Sequence, residues 1–145
     1  MTKPLQPTTR TVRAGIDRDT TFGAVSPPIV LSSTFSFDGF GGKRAYDYSR
    51  CGNPTRDLLG EAIATLEGGH GAVVTASGLG AMTVVLHAYL KRGDRLIVPH
   101  DCYGGSWRLF KALADRTGFV IDTVDFNDAG ALDAAIALRP AMVWI

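Results

Sequence analysis

The stretch AVVTASGLGAMTVVLHAYLKRGDRLIVP, residues 72–99, says most about how this chain folds. An apolar run of strand length, residues 72–76, leads into the glycine-rich residues 77–80. Apolar side chains then recur at the spacing of one helix face until Gly93, and a second apolar run follows at residues 95–99. The stretch predicts a strand, a tight turn, a helix and a second strand.

The same alternation continues towards the end of the chain. Residues 119–124 and 141–145 are again short apolar runs, and helical spacing recurs after Ser106 and after Asp128, a predicted N-cap. Apolar strands joined by helices are typical of parallel sheets that helices cover. We therefore predict an α/β fold, with a four-stranded, mostly parallel sheet and helices on both faces.

The first third of the chain has a different character. Residues 17–53 are rich in proline, glycine, serine and threonine and show no sustained helical period, which predicts an extended arm. Asn53 and Pro54 then give the capping pattern of a helix start. We divide the chain into an arm, residues 1–57, and the first part of an α/β domain, residues 58–145.

Composition narrows the class of protein. Of the 145 residues, 46% are hydrophobic and 20% charged, which favours a packed globular chain. The net charge of +1 gives no support to nucleic-acid or electrostatic membrane binding. The uncharged residues 68–90 are interrupted by a glycine-rich turn, so we do not expect a membrane span. Two cysteines without paired spacing predict neither a disulfide framework nor a metal site, and favour a cytoplasmic location.

The turn at residues 77–80 is the first candidate for chemistry. Free backbone N–H groups at a helix start, approached through glycine and a hydroxyl, form an anion site that a phosphate commonly fills. The alternative is a turn that only lets helix and strand pack closely. Neither a P-loop nor a complete dinucleotide motif is present, so neither kind of nucleotide is indicated.

Two further clusters carry polar side chains. Tyr48 and Arg50 lie in the arm, where a guanidinium suits a phosphate, although the tyrosine could simply pack and the arginine be solvated. Tyr103 follows the predicted strand 95–99, at the sheet edge where ligands bind, and could stack on a planar ring or close the core. His100 and Cys102 have no partner at metal or triad spacing and favour structural roles.

Several of these motifs together resemble the pyridoxal-phosphate (PLP) enzymes of cysteine and methionine metabolism. The matching runs span almost the whole chain and are YSR (48–50), GNPTR (52–56), LEGG (66–69), ASG (76–78) and YGGS (103–106). The resemblance implies PLP as cofactor and the type I fold of PLP-dependent transferases, similar to aspartate aminotransferase. It also implies that cysteine replaces the acyl group of O-succinylhomoserine. Elimination by a lyase, sulfide transfer to O-acetylhomoserine, and a non-catalytic phosphate-binding module remain alternatives.

By this resemblance the backbone N–H groups of Gly78 and Leu79 would bind the cofactor phosphate, with Ser77 nearby. Tyr103 would lie over the cofactor ring, contact the substrate and assist proton transfer. Arg108 would meet the acidic end of the substrate. No metal is implied.

The arm gains a role from the same resemblance. Tyr48 and Arg50 would reach the phosphate in the neighbouring subunit, so that sites are shared across a dimer and two dimers form a homotetramer. Two positions depart from the family pattern: Leu79 stands where methionine is common, and Cys51 where a second arginine is usual. The second departure leaves the acyl group, succinyl or acetyl, open.

The lysine that forms the Schiff base with the cofactor is the main missing element. The family places it after a Ser-x-Thr motif, and none of the four lysines here has that context: Lys3, Lys43, Lys91 and Lys111. We expect that lysine downstream of these residues. We therefore predict that the 145 residues are the N-terminal portion of a longer enzyme and are inactive alone.

Overall fold

The computed structural model describes residues 5–145. Its contacts divide the chain into two compact units, one ending at Val74 and the other spanning Thr75–Ile145, and we describe each by itself. Over residues 5–145, no helix is both long enough and apolar enough to cross a membrane.

The first unit contains two helices that pack on each other, α1 (Pro7–Val12) and α2 (Pro54–Glu67). The α2 start is as predicted: the Asn53 side chain accepts the N–H of Thr55 at 2.9 Å, and Pro54 takes the first helical position. The six-residue α1 buries none of its residues, which explains why hydrophobic spacing does not predict it. The long segment between the helices has almost no regular structure apart from a bridge between Thr34 and Tyr48.

The second unit is a parallel sheet with three helices, which confirms the α/β fold. The elements in chain order are α3 (Gly78–Tyr89), β1 (Arg95–Pro99), α4 (Gly104–Thr117), β2 (Val120–Val124), α5 (Ala129–Ala137) and β3 (Met142–Val143). The strand order is β2-β1-β3, and both pairings are parallel. The capping prediction at Asp128 is confirmed, since its side chain accepts the N–H of Ala131 at 3.0 Å.

The predicted strand at residues 72–76 is wrong. A strand requires backbone hydrogen bonds to a neighbour, and these residues form none with any strand of the described chain. The central strand β1 already has β2 and β3 on its two sides, so its hydrogen-bonding edges are taken. The sheet therefore has three strands over the described residues instead of the predicted four.

The core of the second unit fixes the positions of α3 and α4. It contains seven buried side chains from β1, the helices and the loops that join them: Leu86, Leu90, Leu96, Val98, Phe110, Leu113 and Phe119. Phe110 is fully buried, and its ring meets Trp144 edge-on at a centroid distance of 5.8 Å. Because both helices insert apolar side chains into one core, their N-terminal turns are held by the same packing.

Candidate functional site

The start of α3 presents free backbone donors. Ser77 caps the helix from extended backbone, and its Oγ accepts the N–H of Gly80 at 3.1 Å. The N–H groups of Gly78 and Leu79 have no acceptor among residues 5–145. A Cβ built at Gly78 would meet no atom within 4 Å, so the space beside the first residue of the helix is open. The geometry is that of an anion site at a helix N-terminus.

The start of α4 places an aromatic ring at the carboxyl end of β1. Tyr103 precedes the helix and is 74% exposed, so the ring is available to a ligand and does not close the core. Arg108 lies in the second turn, with its Nη1 3.7 Å from the Cβ position of Gly104. Its exposed guanidinium therefore folds back towards the helix start.

A contact between helices brings these two starts together. The Oγ of Ser106 in α4 donates to the Sδ of Met82 in α3 at 3.4 Å. Met82 lies one turn after Gly78 in α3, and Ser106 lies in the first turn of α4, three residues after Tyr103. The contact therefore joins α3 and α4 near their N-terminal ends.

The remaining two predicted site residues lie in the first unit and contact each other. Arg50 donates from Nη2 to the phenol oxygen of Tyr48 at 3.1 Å, and its Cζ lies 5.3 Å from the centre of that ring. The contact holds the guanidinium at the phenol end of the tyrosine. Because a guanidinium has five N–H donors, most of them stay available to a phosphate.

His100 has a carboxylate neighbour that its sequence position does not reveal. Its Nδ1 lies 3.8 Å from Oδ1 of Asp125, the residue that follows β2. The backbone N–H and side-chain amide of Asn127, followed by the charge of His100, hold the pKa of Asp125 below its usual range. The pair links the carboxyl ends of β1 and β2. Within residues 5–145, no group of three or more His, Cys, Asp or Glu side chains is arranged to hold a metal ion.

Tyr46, which lies in the first unit, has a phenol with a raised pKa. Desolvation raises the pKa of its phenol, and a hydrogen bond to Asp57 raises it further. The cavity beside it, of about 280 Å³, is also lined by Arg18 and Glu61, which bond to each other. These four side chains pair with one another, Tyr46 with Asp57 and Arg18 with Glu61.

The donors at the two helix starts fit a phosphate ester on a planar aromatic ring. Two free N–H groups and a hydroxyl at the start of α3 suit the phosphate oxygens. The exposed ring of Tyr103 suits a flat aromatic partner by stacking. The arrangement thus matches the chemistry of pyridoxal phosphate, which combines both parts.

Comparison with known proteins gives the family and the relatives. The profile described as "Cys/Met metabolism PLP-dependent enzyme" matches residues 8–145. The chain is 52% identical to cystathionine gamma-synthase of Escherichia coli (strain K12) over 134 residues, which cover 92% of this chain and 35% of that protein. It is 40% identical to a cystathionine beta-lyase of Lactococcus lactis subsp. cremoris over 136 residues, 94% of this chain and 36% of the relative.

A solved structure agrees with these sequence matches. Cystathionine gamma synthase from Xanthomonas oryzae pv. oryzae, crystallised in complex with cystathionine, superposes with a TM-score of 0.91 at 62% identity. The superposition covers 97% of this chain and 36% of that one. The chain thus spans only 35–36% of the length of these three proteins.

Proposed function

The chain belongs to the Cys/Met metabolism PLP-dependent enzyme family, and from that membership we propose that the whole protein is a cystathionine γ-synthase. The cysteine thiol replaces the succinyloxy group of O-succinylhomoserine: the Cγ–O bond breaks, a Cγ–S bond forms, and the leaving group departs as succinate. The product, cystathionine, leads to methionine by transsulfuration. Identities of 52% and 62% to two γ-synthases support this assignment.

The observation that carries the proposal is the pair of free N–H groups at the start of α3. Gly78 and Leu79 donate to the phosphate of PLP, and the helix dipole adds to the attraction. The hydroxyl of Ser77 accepts from Gly80 and keeps its own proton for a phosphate oxygen. Leu79 in place of methionine is harmless in this role, because only its backbone takes part.

Bound PLP supplies an electron sink for negative charge at the substrate carbon. The protein must hold the ring and move protons. The Tyr103 ring would stack on the pyridine ring of bound PLP, and the Tyr103 hydroxyl would donate a proton at Oη and take it back. The exposure of Tyr103 and its place at the start of α4, after the carboxyl end of β1, suit both roles.

Tyr48 and Arg50 serve the site of a neighbouring subunit in this proposal. Their mutual hydrogen bond at 3.1 Å orients the guanidinium before it meets the phosphate, which lowers the entropy lost on binding. Sites shared across a dimer make self-association a condition of activity, and we propose a homotetramer built from two such dimers. Two free cysteines fit the reducing cytoplasm, where we propose that the enzyme acts.

Arg108 recognises the substrate in the proposal. Its guanidinium is exposed and folds towards the start of α4, next to Tyr103, where it can pair with the carboxylate of the succinyl group. Arg108→Lys should therefore raise KM for O-succinylhomoserine more than KM for O-acetylhomoserine, which lacks that carboxylate.

A lyase is the second candidate, because the 40% identity to a β-lyase covers 94% of this chain. One assay separates the two. The whole protein is incubated with cysteine and either O-succinyl- or O-acetylhomoserine, and also with cystathionine alone. We expect cystathionine and succinate from the first mixture. Rapid release of keto acid and ammonia from cystathionine would favour the lyase. A purified protein without a bound yellow cofactor would instead favour a non-catalytic phosphate-binding module.

A further inference from the structure

We propose that Ser106 is a positioning residue that sets the distance between the phosphate-binding turn of α3 and the Tyr103 ring, acting through its contact with Met82. The inference rests on the proposed function, because it assumes that both helix starts bind one PLP molecule. Neither Ser106 nor Met82 needs to touch the cofactor.

The unusual partner of the Ser106 hydroxyl is the first argument. Four other helical hydroxyls donate to a carbonyl four residues earlier in their own helix, namely those of Thr11, Thr65, Thr83 and Thr117. Ser106 instead donates to Met82, in a different helix 24 residues away. This hydroxyl therefore joins two elements, whereas those four threonine hydroxyls bond within a single helix.

The burial of Ser106 is the second argument. The residue is only 7% exposed, and it is the one buried polar side chain in the described part of the chain. A buried hydroxyl is costly without a partner, and a thioether is a weak acceptor with few competing uses. The pairing therefore favours one relative position of the two helices, at which the thioether lies within reach.

The location of the contact is the third argument. Met82 lies one turn after Gly78 in α3, and Ser106 lies in the first turn of α4, directly after the two glycines that follow Tyr103. A shift of either helix at this contact would carry over to its first turn, because a helical turn is stiff. The phosphate donors and the aromatic ring would then no longer match the fixed length of PLP.

Three variants of the whole protein test the role. Ser106→Ala removes the donor, Met82→Leu removes the acceptor at similar volume, and the double variant removes both. Thr117→Ala is the matched control, because it deletes a hydroxyl at the far end of the same helix. The measurements are the Kd for PLP by titration of the apoprotein, the circular dichroism of the bound cofactor, and the thermal midpoint.

We expect each single variant to bind PLP about 3- to 10-fold more weakly, the range of one net hydrogen bond, and to show reduced cofactor dichroism. The double variant should bind PLP no more weakly than the single variant with the lower affinity, since all three variants lose the same contact. Ser106→Cys, which keeps a weak donor, should recover part of the affinity. Thr117→Ala should lower the thermal midpoint without changing the Kd.

Unchanged PLP affinity and dichroism in both single variants, with only a lower thermal midpoint, would overturn the positioning role. Losses of PLP affinity that add fully in the double variant would also overturn the positioning role. Failure of the wild-type protein to bind PLP would instead overturn the proposed function, so the two ideas fail in different ways.

Discussion

The Tyr103 ring occupies the space in which a side chain at Gly105 would begin. A Cβ built at position 105 would lie 3.0 Å from Cζ and 3.1 Å from Cδ1 of that ring, and closer still to Cε1. Gly105 is buried although the ring is largely exposed. Because Gly105 has no side chain, the Tyr103 ring can lie against the backbone at the start of α4.

Gly105→Ala should move the ring and weaken its stacking on the cofactor. Aromatic stacking contributes about 0.5–1.5 kcal/mol, so we expect about a 2- to 10-fold higher Kd for PLP. Gly104→Ala is the control, because its Cβ would meet only Nη1 of Arg108 at an ordinary 3.7 Å. If both alanine variants bind PLP equally well, the ring position at Gly105 has no part in cofactor binding.

Ser77→Ala should affect both folding and cofactor binding. The lost cap to Gly80 costs about 0.5–2 kcal/mol of unfolding free energy, and the lost hydroxyl weakens the phosphate site. Asp128→Ala removes the cap of α5 and should cost a similar free energy. Denaturant titration checks stability, and PLP titration checks affinity. We expect Asp128→Ala to leave PLP affinity unchanged. An equal loss of PLP affinity in both variants would show that Ser77 acts through stability alone.

Mixing two inactive variants should restore activity if sites are shared between subunits. The Arg50→Ala protomer lacks the guanidinium that it would give to its neighbour's site. The Tyr103→Ala protomer lacks the aromatic ring of its own site. A mixed dimer then contains one intact site, so random mixing should recover about a quarter of wild-type activity. The measurement is cystathionine formation after the variants are unfolded and refolded together. Mixtures as inactive as either parent would contradict a site built from Arg50 of one subunit and Tyr103 of another.

Acid should loosen the loop that Asp19 organises. Its carboxylate accepts backbone N–H groups of Ala24, Thr21 and Phe22 at 3.0–3.3 Å. These bonds, those of Ala24 and Thr21 foremost, hold the pKa of Asp19 below its usual range. Because the folded pKa lies below the unfolded one, the stabilisation is complete above about pH 4 and is lost as pH falls through the folded value.

Hydrogen exchange of residues 19–24, corrected for the intrinsic effect of pH, measures this loosening. We expect faster exchange in wild type at low pH, and in Asp19→Asn already at neutral pH, since a neutral amide oxygen accepts more weakly. Equal protection of this loop in the two proteins at neutral pH would rule out the carboxylate as its organiser.

Local sequence features predicted much of the observed structure. The run at residues 95–99 became β1 with the same bounds, and the caps at Asn53 and Asp128 hold their helices as expected. The helix expected after Ser106 begins two residues earlier, at Gly104. Such features are readable because a cap or an apolar period depends on residues only a few positions apart.

The amino-acid sequence alone specified the alternation of strands and helices, the motifs that identify the family, and the glycine-rich turn before α3. The folded arrangement settled three other matters: that residues 72–76 form no strand, that Ser106 pairs with Met82, and that the Tyr103 ring lies over Gly105. Hydrophobic patterns report which side chains avoid water, but they do not say which neighbour each will meet. Partners in a sheet or between helices are chosen by packing in three dimensions, which no local spacing records.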